Sequence, residues 1–234
     1  MNPTRLGVGV IGAGKVGPVL AQALAGAGHV LVGMTKPSDD DVDRLHAVVP
    51  GVQLKDPLDL IASCELVIIA IPDSELVGFI EGVSKAGGWR SGHIVAHTSI
   101  THGLEVLDSA RDAGVIPITL HPLMEFTGTS MDLARMAQAW CVVSSPPVAA
   151  PIASALAVEM GMEPLTVADD QRPLVASAIA LATSFSHTTI AEAAQRLVQA
   201  GIGNPGVVLA ALVNSSVDNA LRSVAGNAVE RGDV

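Results

Sequence analysis

Residues 12–17 read Gly-Ala-Gly-Lys-Val-Gly directly after the apolar run Leu6–Ile11 (LGVGVI). This spacing constrains the chain more than any other feature, because it asks for a strand that bends sharply into a helix. Gly12 permits the tight turn, Gly14 lets a pyrophosphate touch bare main chain, and Gly17 lets the helix pack on the strand. The unpaired N–H groups of a helix opening at Val16 then face the anion. Lys15 and Val16 complete the same bend.

The rest of the chain fits around that bend. Helical spacing runs over 16–27, a second strand over 29–35, and Ser38 with Asp41 reads as the capped start of a helix reaching Val49. Gln53–Lys55 reads as a short strand, and Leu66–Ile71 (LVIIAI) as the clearest buried one, followed by a helix over 75–85. Further strands are expected over 93–98, 116–120, 139–143 and 163–167, with a helix over 148–160. Strands separated by helices imply an α/β fold, a doubly wound, mainly parallel sheet with helices on both faces. That domain is expected to cover residues 1–168. From Asp169 on there is no strand pattern. A long helix over 172–200, a break at Gly201, Gly203, Asn204, Pro205 and Gly206, and a helix over 207–223 predict a small all-α domain over 169–234. Its Ala- and Ser-rich helices suit a bundle or a helix-mediated homodimer.

Composition removes several functions. Hydrophobic residues make up 49% of the chain, which excludes a disordered protein. A formal net charge of −10 argues against nucleic acid or an anionic membrane as partner. Two cysteines make neither a disulfide scaffold nor a metal cluster, so no metal site is expected. With three Phe, two Trp and no Tyr, recognition by stacking is not expected. The N-terminal apolar run lacks a small-residue cleavage site and reads as a buried strand, not a signal peptide. Residues 173–191 carry no formal charge, but Ser177, Thr183, Ser184, Ser186, His187, Thr188 and Thr189 interrupt them, so a buried helix in a soluble, cytoplasmic protein is expected.

In a parallel sheet, ligands sit beyond the carboxyl ends of the strands. At the end of the second strand an Asp or Glu would select NAD. Here Thr35 can donate to a 2′-phosphate and Lys36 can neutralise it, which favours NADP with NAD as the alternative. The run Asp39, Asp40, Asp41 and Asp43 reads as a helix N-terminal charge cluster whose field opposes a nearby phosphate. Ile71, Pro72 and Asp73 could line the nicotinamide ribose, or Asp73 and Ser74 could cap the next helix. His97-Thr98-Ser99 and His121-Pro122-Leu123-Met124-Glu125 follow two further strands. A carbonyl or imine reduction needs one proton donor, and His121 is the first candidate, His97 the second, unless each is a buried histidine bonded to backbone. Thr98 and Ser99 would bind ligand, or cap a helix starting near Thr101. His29, His46, His93 and His102 read as surface or helix-end residues, and His187 as a core or interface residue. None of the four lysines, Lys15, Lys36, Lys55 and Lys85, lies in the helical part.

The order GAGKVG, VIIAIPDS, VAHTS, HPLMEF, then an Ala-rich helix and a Gly-rich break, resembles the 6-phosphogluconate-dehydrogenase-like superfamily. Within it the chain is most similar to Rossmann-like proteins whose C-terminal helical domain has no assigned function. Pyrroline-5-carboxylate reductase, prephenate dehydrogenase and deazaflavin-dependent NADP oxidoreductases are more distant. The resemblance implies a Rossmann sheet, NAD(P) binding and a helical domain that dimerises. Departures fall on the substrate side: Ile100 replaces a glycine, Leu174 and Val175 replace a Tyr-His pair, and Thr183 replaces an Asn. Two readings follow. One is an NAD(P)-dependent oxidoreductase acting on a small carbonyl, imine or hydroxy acid, which the paired His97 and His121 favour. The other is a non-catalytic nucleotide-binding or sensor protein, which Leu174 and Val175 favour.

Overall fold

A computed structural model describes the backbone of residues 5–231, with side chains throughout that range other than at 185–186 and 225–231. The chain divides into two compact units, Met1–Ala176 and Ser177–Val234.

The first unit is built on seven strands: β1 (Gly7–Ile11), β2 (Val30–Met34), β3 (Leu66–Ile69), β4 (Ile94–His97), β5 (Ile116–Pro122), β6 (Trp140–Ser144) and β7 (Glu163–Thr166). Between them run α1 (Gly17–Gly26), α2 (Val42–Val48), α3 (Pro57–Ala62), α4 (Asp73–Lys85), α5 (Asp108–Arg111), α6 (Met131–Met136) and α7 (Ala150–Glu159). The strands form one sheet in the order β2-β1-β3-β4-β5-β6-β7, parallel except between β5 and β6. The order in which successive strands are added reverses between the parallel β1 and β3, which opens a crevice beyond their carboxyl ends.

Both faces are covered. Alternate strand residues point to opposite sides. Val8, Val10, Leu66, Ile68, Ile118 and Leu120 enter a core with Leu20 and Leu24 of α1, Leu45 of α2 and Leu156 of α7. Val67, Ile69 and Val95 enter a second core with Leu60, Ile61, Leu76 and Ile80 from α3 and α4.

Several local expectations are corrected. Gln53–Lys55 is not a strand: only Leu54 bridges to Met34 at the open edge of β2, before Asp56-Pro57 turns the chain into α3. Ser38 caps no amide; its hydroxyl donates to Asp41 at 2.8 Å across a 3-10 turn that precedes α2. No helix starts at Thr101; a 3-10 turn over Leu104–Leu107 leads into α5. β5 runs two residues further than expected, so His121 lies within the strand and not after it.

The long helix α8 (Arg172–Gln199) begins in the first unit and continues into the second, where α9 (Pro205–Arg231) follows. It is not the buried helix expected. Leu181 is 69% exposed and Val198 60%, and on α9 Leu212 is 65% exposed. Residues 169–199 are long and apolar enough to cross a membrane by length and composition. A helix apolar on more than one side is stable in water only against a further apolar surface.

Candidate functional site

The β1–α1 bend is built by close approach. Gly12 has φ +105°, and a Cβ placed on it would overlap the Ala70 carbonyl oxygen. A Cβ on Gly17 would overlap the Gly12 carbonyl oxygen. Gly14 differs from both, since a Cβ there would meet nothing within 4 Å. Its main chain borders open space that no side chain of the protein fills. Among the described residues the Gly14 and Lys15 amides find no protein acceptor. The Gly12 N–H donates to Thr35 Oγ1 at 2.9 Å, so the end of β2 pins the start of the bend while leaving the Thr35 hydroxyl proton available. Lys36 is exposed beside it.

A second loop braces the bend, and sequence reasoning missed it. A Cβ on Gly128, which has φ +77°, would lie 3.2 Å from Lys15 Cα and 2.9 Å from Arg44 Cδ, so this backbone rests on the glycine bend only as glycine. Asp132, fully buried, holds the loop: its carboxylate accepts from the Thr127 and Gly128 amides, each at 2.8 Å, and from the Thr127 hydroxyl at 3.0 Å. Thr127-Gly128-Thr129-Ser130 ahead of Asp132 is a turn signature that could have pointed to it.

Beyond β3, Pro72 takes the cap position of α4, so neither Asp73 nor Ser74 caps that helix. The Asp73 carboxylate accepts instead from the Thr101 hydroxyl. Ser99 is buried, and its Oγ accepts from the His102 amide at 3.1 Å, which closes the 99–102 turn rather than facing a ligand. Thr98 is half-buried at the end of β4, its amide bonded to Ile69.

The two histidines have separate environments. His97 has no exposed surface, which corrects the expectation that it faces a substrate. A carbonyl can only accept, so His97 Nε2–H donates to Gly103 at 3.0 Å, and Nδ1 is left buried without a partner. Burial pushes its pKa down to about 4. His121 is half-buried, and its Nδ1–H donates to the Thr98 carbonyl at 2.6 Å, which leaves the lone pair on Nε2. Burial lowers its pKa; the Thr98 hydrogen bond opposes that, the Arg172 charge adds to it and Asp73 opposes it. His29 and His93, expected as surface or helix-end residues, are both buried, His29 bonded to Glu159 at 2.9 Å.

Arg172 was also invisible in the sequence. It is 2% exposed, with Nη2 donating to Ser99 O at 2.8 Å and Nη1 to Thr119 Oγ1 at 3.2 Å and Ser144 Oγ at 3.1 Å. No local pattern flags one arginine at a helix start. Among the described residues no group of three or more His, Cys, Asp or Glu is placed to hold a metal ion.

Comparison with known proteins agrees with this architecture. No curated protein sequence matches the chain. Among solved structures, a Bacteroides fragilis protein assigned as an NADP oxidoreductase is 19% identical with a TM-score of 0.75, over 92% of this chain and 80% of its own. An imine reductase from a Pseudomonas species is 18% identical with a TM-score of 0.70, over 98% and 79%. A Plasmodium falciparum pyrroline carboxylate reductase, solved with NADP bound, is 11% identical with a TM-score of 0.64, over 91% and 78%. Residues 139–234 match a domain of unknown function (DUF2520). Residues 1–122 match the Rossmann-like domain, and the chain belongs to that family.

Proposed function

We propose that the chain is an NAD(P)-dependent oxidoreductase, with NADP preferred, acting on a small carbonyl, imine or hydroxy acid. The observation that carries this reading is the open main chain at Gly14 between two glycines that admit no side chain. It is the shape a pyrophosphate requires. Gly12, Gly14, Lys15, Val16 and Gly17 would hold the pyrophosphate, Thr35 and Lys36 the adenosine end, and Ile71, Pro72, Asp73 and Thr98 the nicotinamide ribose. The NADP held by the Plasmodium enzyme and named for the Bacteroides protein supports the preference.

The bound nicotinamide would supply or accept the hydride. The proton belongs to His121. With Nδ1–H committed to Thr98, Nε2 takes a proton from a substrate hydroxyl or amine on oxidation and returns it on reduction. Because its pKa is lowered, His121 is mostly neutral near pH 7 and is ready as a base; reduction, which needs the imidazolium, falls as pH rises. His97 shapes the Gly103 turn from behind, and Ser99 holds the turn beside it.

We place the protein in the cytoplasm, where its two buried cysteines persist as free thiols, away from membrane and nucleic acid. It works as a homodimer through the exposed apolar residues of α8 and α9. A non-catalytic nucleotide sensor is the second reading, and Leu174, 70% exposed where relatives are expected to carry a polar pair, favours it. Fluorescence titration with NADPH and NADH tests both; failure of each to bind overturns them together. If NADPH binds, turnover of a keto-acid and imine panel that disappears in His121→Ala supports the enzyme. Turnover unchanged in that variant removes His121 from its role.

A further inference from the structure

We infer that Arg172 is a positioning residue for His121, holding the strand-end backbone that decides which imidazole nitrogen faces the cofactor edge; the inference rests on the oxidoreductase reading. His97 of β4 pairs with Thr119 of β5, and Thr119 pairs with Ser144 of β6, so the three side chains form a row on one face of the sheet. His121, two residues beyond Thr119, shares that face. The Arg172 guanidinium lies across the row. One of its nitrogens donates to both hydroxyls, and another donates to the Ser99 carbonyl. Ser99 follows Thr98 directly, and the Thr98 carbonyl is the acceptor for His121 Nδ1–H. The two carbonyls lie in adjoining peptide planes that share Ser99 Cα, so holding the Ser99 carbonyl restricts how the Thr98 plane can turn.

A purely structural ion pair does not explain the arrangement. Among the described residues no carboxylate lies within ion-pair distance of Arg172, and its Nε is buried without a partner. Asp169 and Glu105 act on it only at longer range. A guanidinium buried among neutral oxygens is destabilising relative to an apolar side chain of the same volume. What it adds is direction, through donors held in a rigid plane, and a positive charge. The charged groups facing His121 are then Arg172 from α8 and Asp73 from α4, with the Thr98 carbonyl from the end of β4.

Nitrogen-15 imidazole NMR on the full chain without nucleotide reads both consequences, with the His121 signals identified by their loss in His121→Gln. The wild type is expected to show His121 as the Nδ1–H tautomer, titrating below an ordinary histidine. In Arg172→Met the ring should become a mixture of tautomers, and its midpoint should rise as the neighbouring positive charge is lost. Arg172→Lys keeps the charge but cannot span the three acceptors, so it should restore the midpoint and leave the tautomers mixed. A folded Arg172→Met in which tautomer and midpoint both match the wild type overturns the inference. If Arg172→Met does not fold, Arg172→Lys decides alone: a wild-type tautomer there overturns it and a mixture supports it. No nucleotide is present, so this outcome is separate from any failure to bind NADPH.

Discussion

Two glycines of the same bend should respond in opposite ways to one added methyl group. The backbone at Gly14 is not in the positive-φ region, and a Cβ there would meet nothing within 4 Å. Gly14→Ala therefore leaves the folded state intact and restricts only the unfolded chain, a gain of about 0.4–1 kcal/mol. For a chain of this size that raises Tm by roughly 1–4 °C. The new methyl, however, occupies the space a pyrophosphate needs, and displacing the phosphate from the bare amides forfeits charge-assisted hydrogen bonds worth about 1.5–3 kcal/mol. NADPH affinity should fall about 10- to 100-fold. At Gly12 the φ of +105° adds strain of about 1–3 kcal/mol for alanine, and the methyl collides with the Ala70 carbonyl, which is backbone and cannot rotate away. Gly12→Ala should lose more than about 3 kcal/mol, a Tm drop of roughly 6–12 °C. Thermal unfolding beside NADPH titration measures both. A Gly14→Ala protein that binds NADPH like the wild type would refute the reasoning, as would one that melts as early as Gly12→Ala.

Three further outcomes follow from the geometry. His97 has a folded-state pKa of about 4, below the ordinary histidine value, so the unfolded chain takes up the proton first. Stability is full above about pH 6.5 and is lost as pH falls towards 4, by on the order of 3 kcal/mol; urea unfolding at pH 7 and pH 5 should show that loss shrinking in His97→Gln. Asp132→Ala strips acceptors from two amides and a hydroxyl, so it should cost about 2–4 kcal/mol by urea unfolding and weaken NADPH binding as Gly128 leaves Lys15. Sedimentation equilibrium should find a dimer that Leu181→Glu with Leu212→Glu converts to monomer, with NADPH affinity unchanged; a monomeric wild type would sink the dimer.

What the sequence made legible was what short-range chemistry controls. The bend at 12–17 could be read because three glycines at fixed offsets have one steric explanation. β3 could be read because a continuous run of Leu, Val and Ile fits a strand covered on both faces. Gln53–Lys55 failed because a strand needs a partner along its length, and partners are not written locally. α8 was misread because an Ala-rich helix without formal charge over 173–191 looks the same whether it is buried in its own chain or awaits another surface. Thr35 was read for the right loop but for one hydrogen bond only; that its oxygen also receives the Gly12 amide depends on how β2 registers with β1. The histidines show the same limit. Their place near the carboxyl ends of two neighbouring strands could be read, but their difference could not, because Gly103 fixes one ring and Thr98 the other.

Arg172 escaped for a topological reason. Had β6 run parallel to its neighbours, its carboxyl end would lie beside that of β5, at the edge where His121 sits. Instead β6 is antiparallel, so Cys141 stands opposite Pro122 and Ser144 opposite Thr119. β6 thus leads away from the cofactor edge, and β7, parallel to it, does the same. The chain therefore approaches α8 from behind the histidines and not from in front of them. A short side chain at position 172 could not span these acceptors, whereas arginine is long enough to touch β5, β6 and the Ser99 carbonyl together. One reversed strand thus turns a residue 73 positions from Ser99 into its nearest cation. Because strand direction is settled by the whole sheet, no window of sequence around Arg172 contains that information.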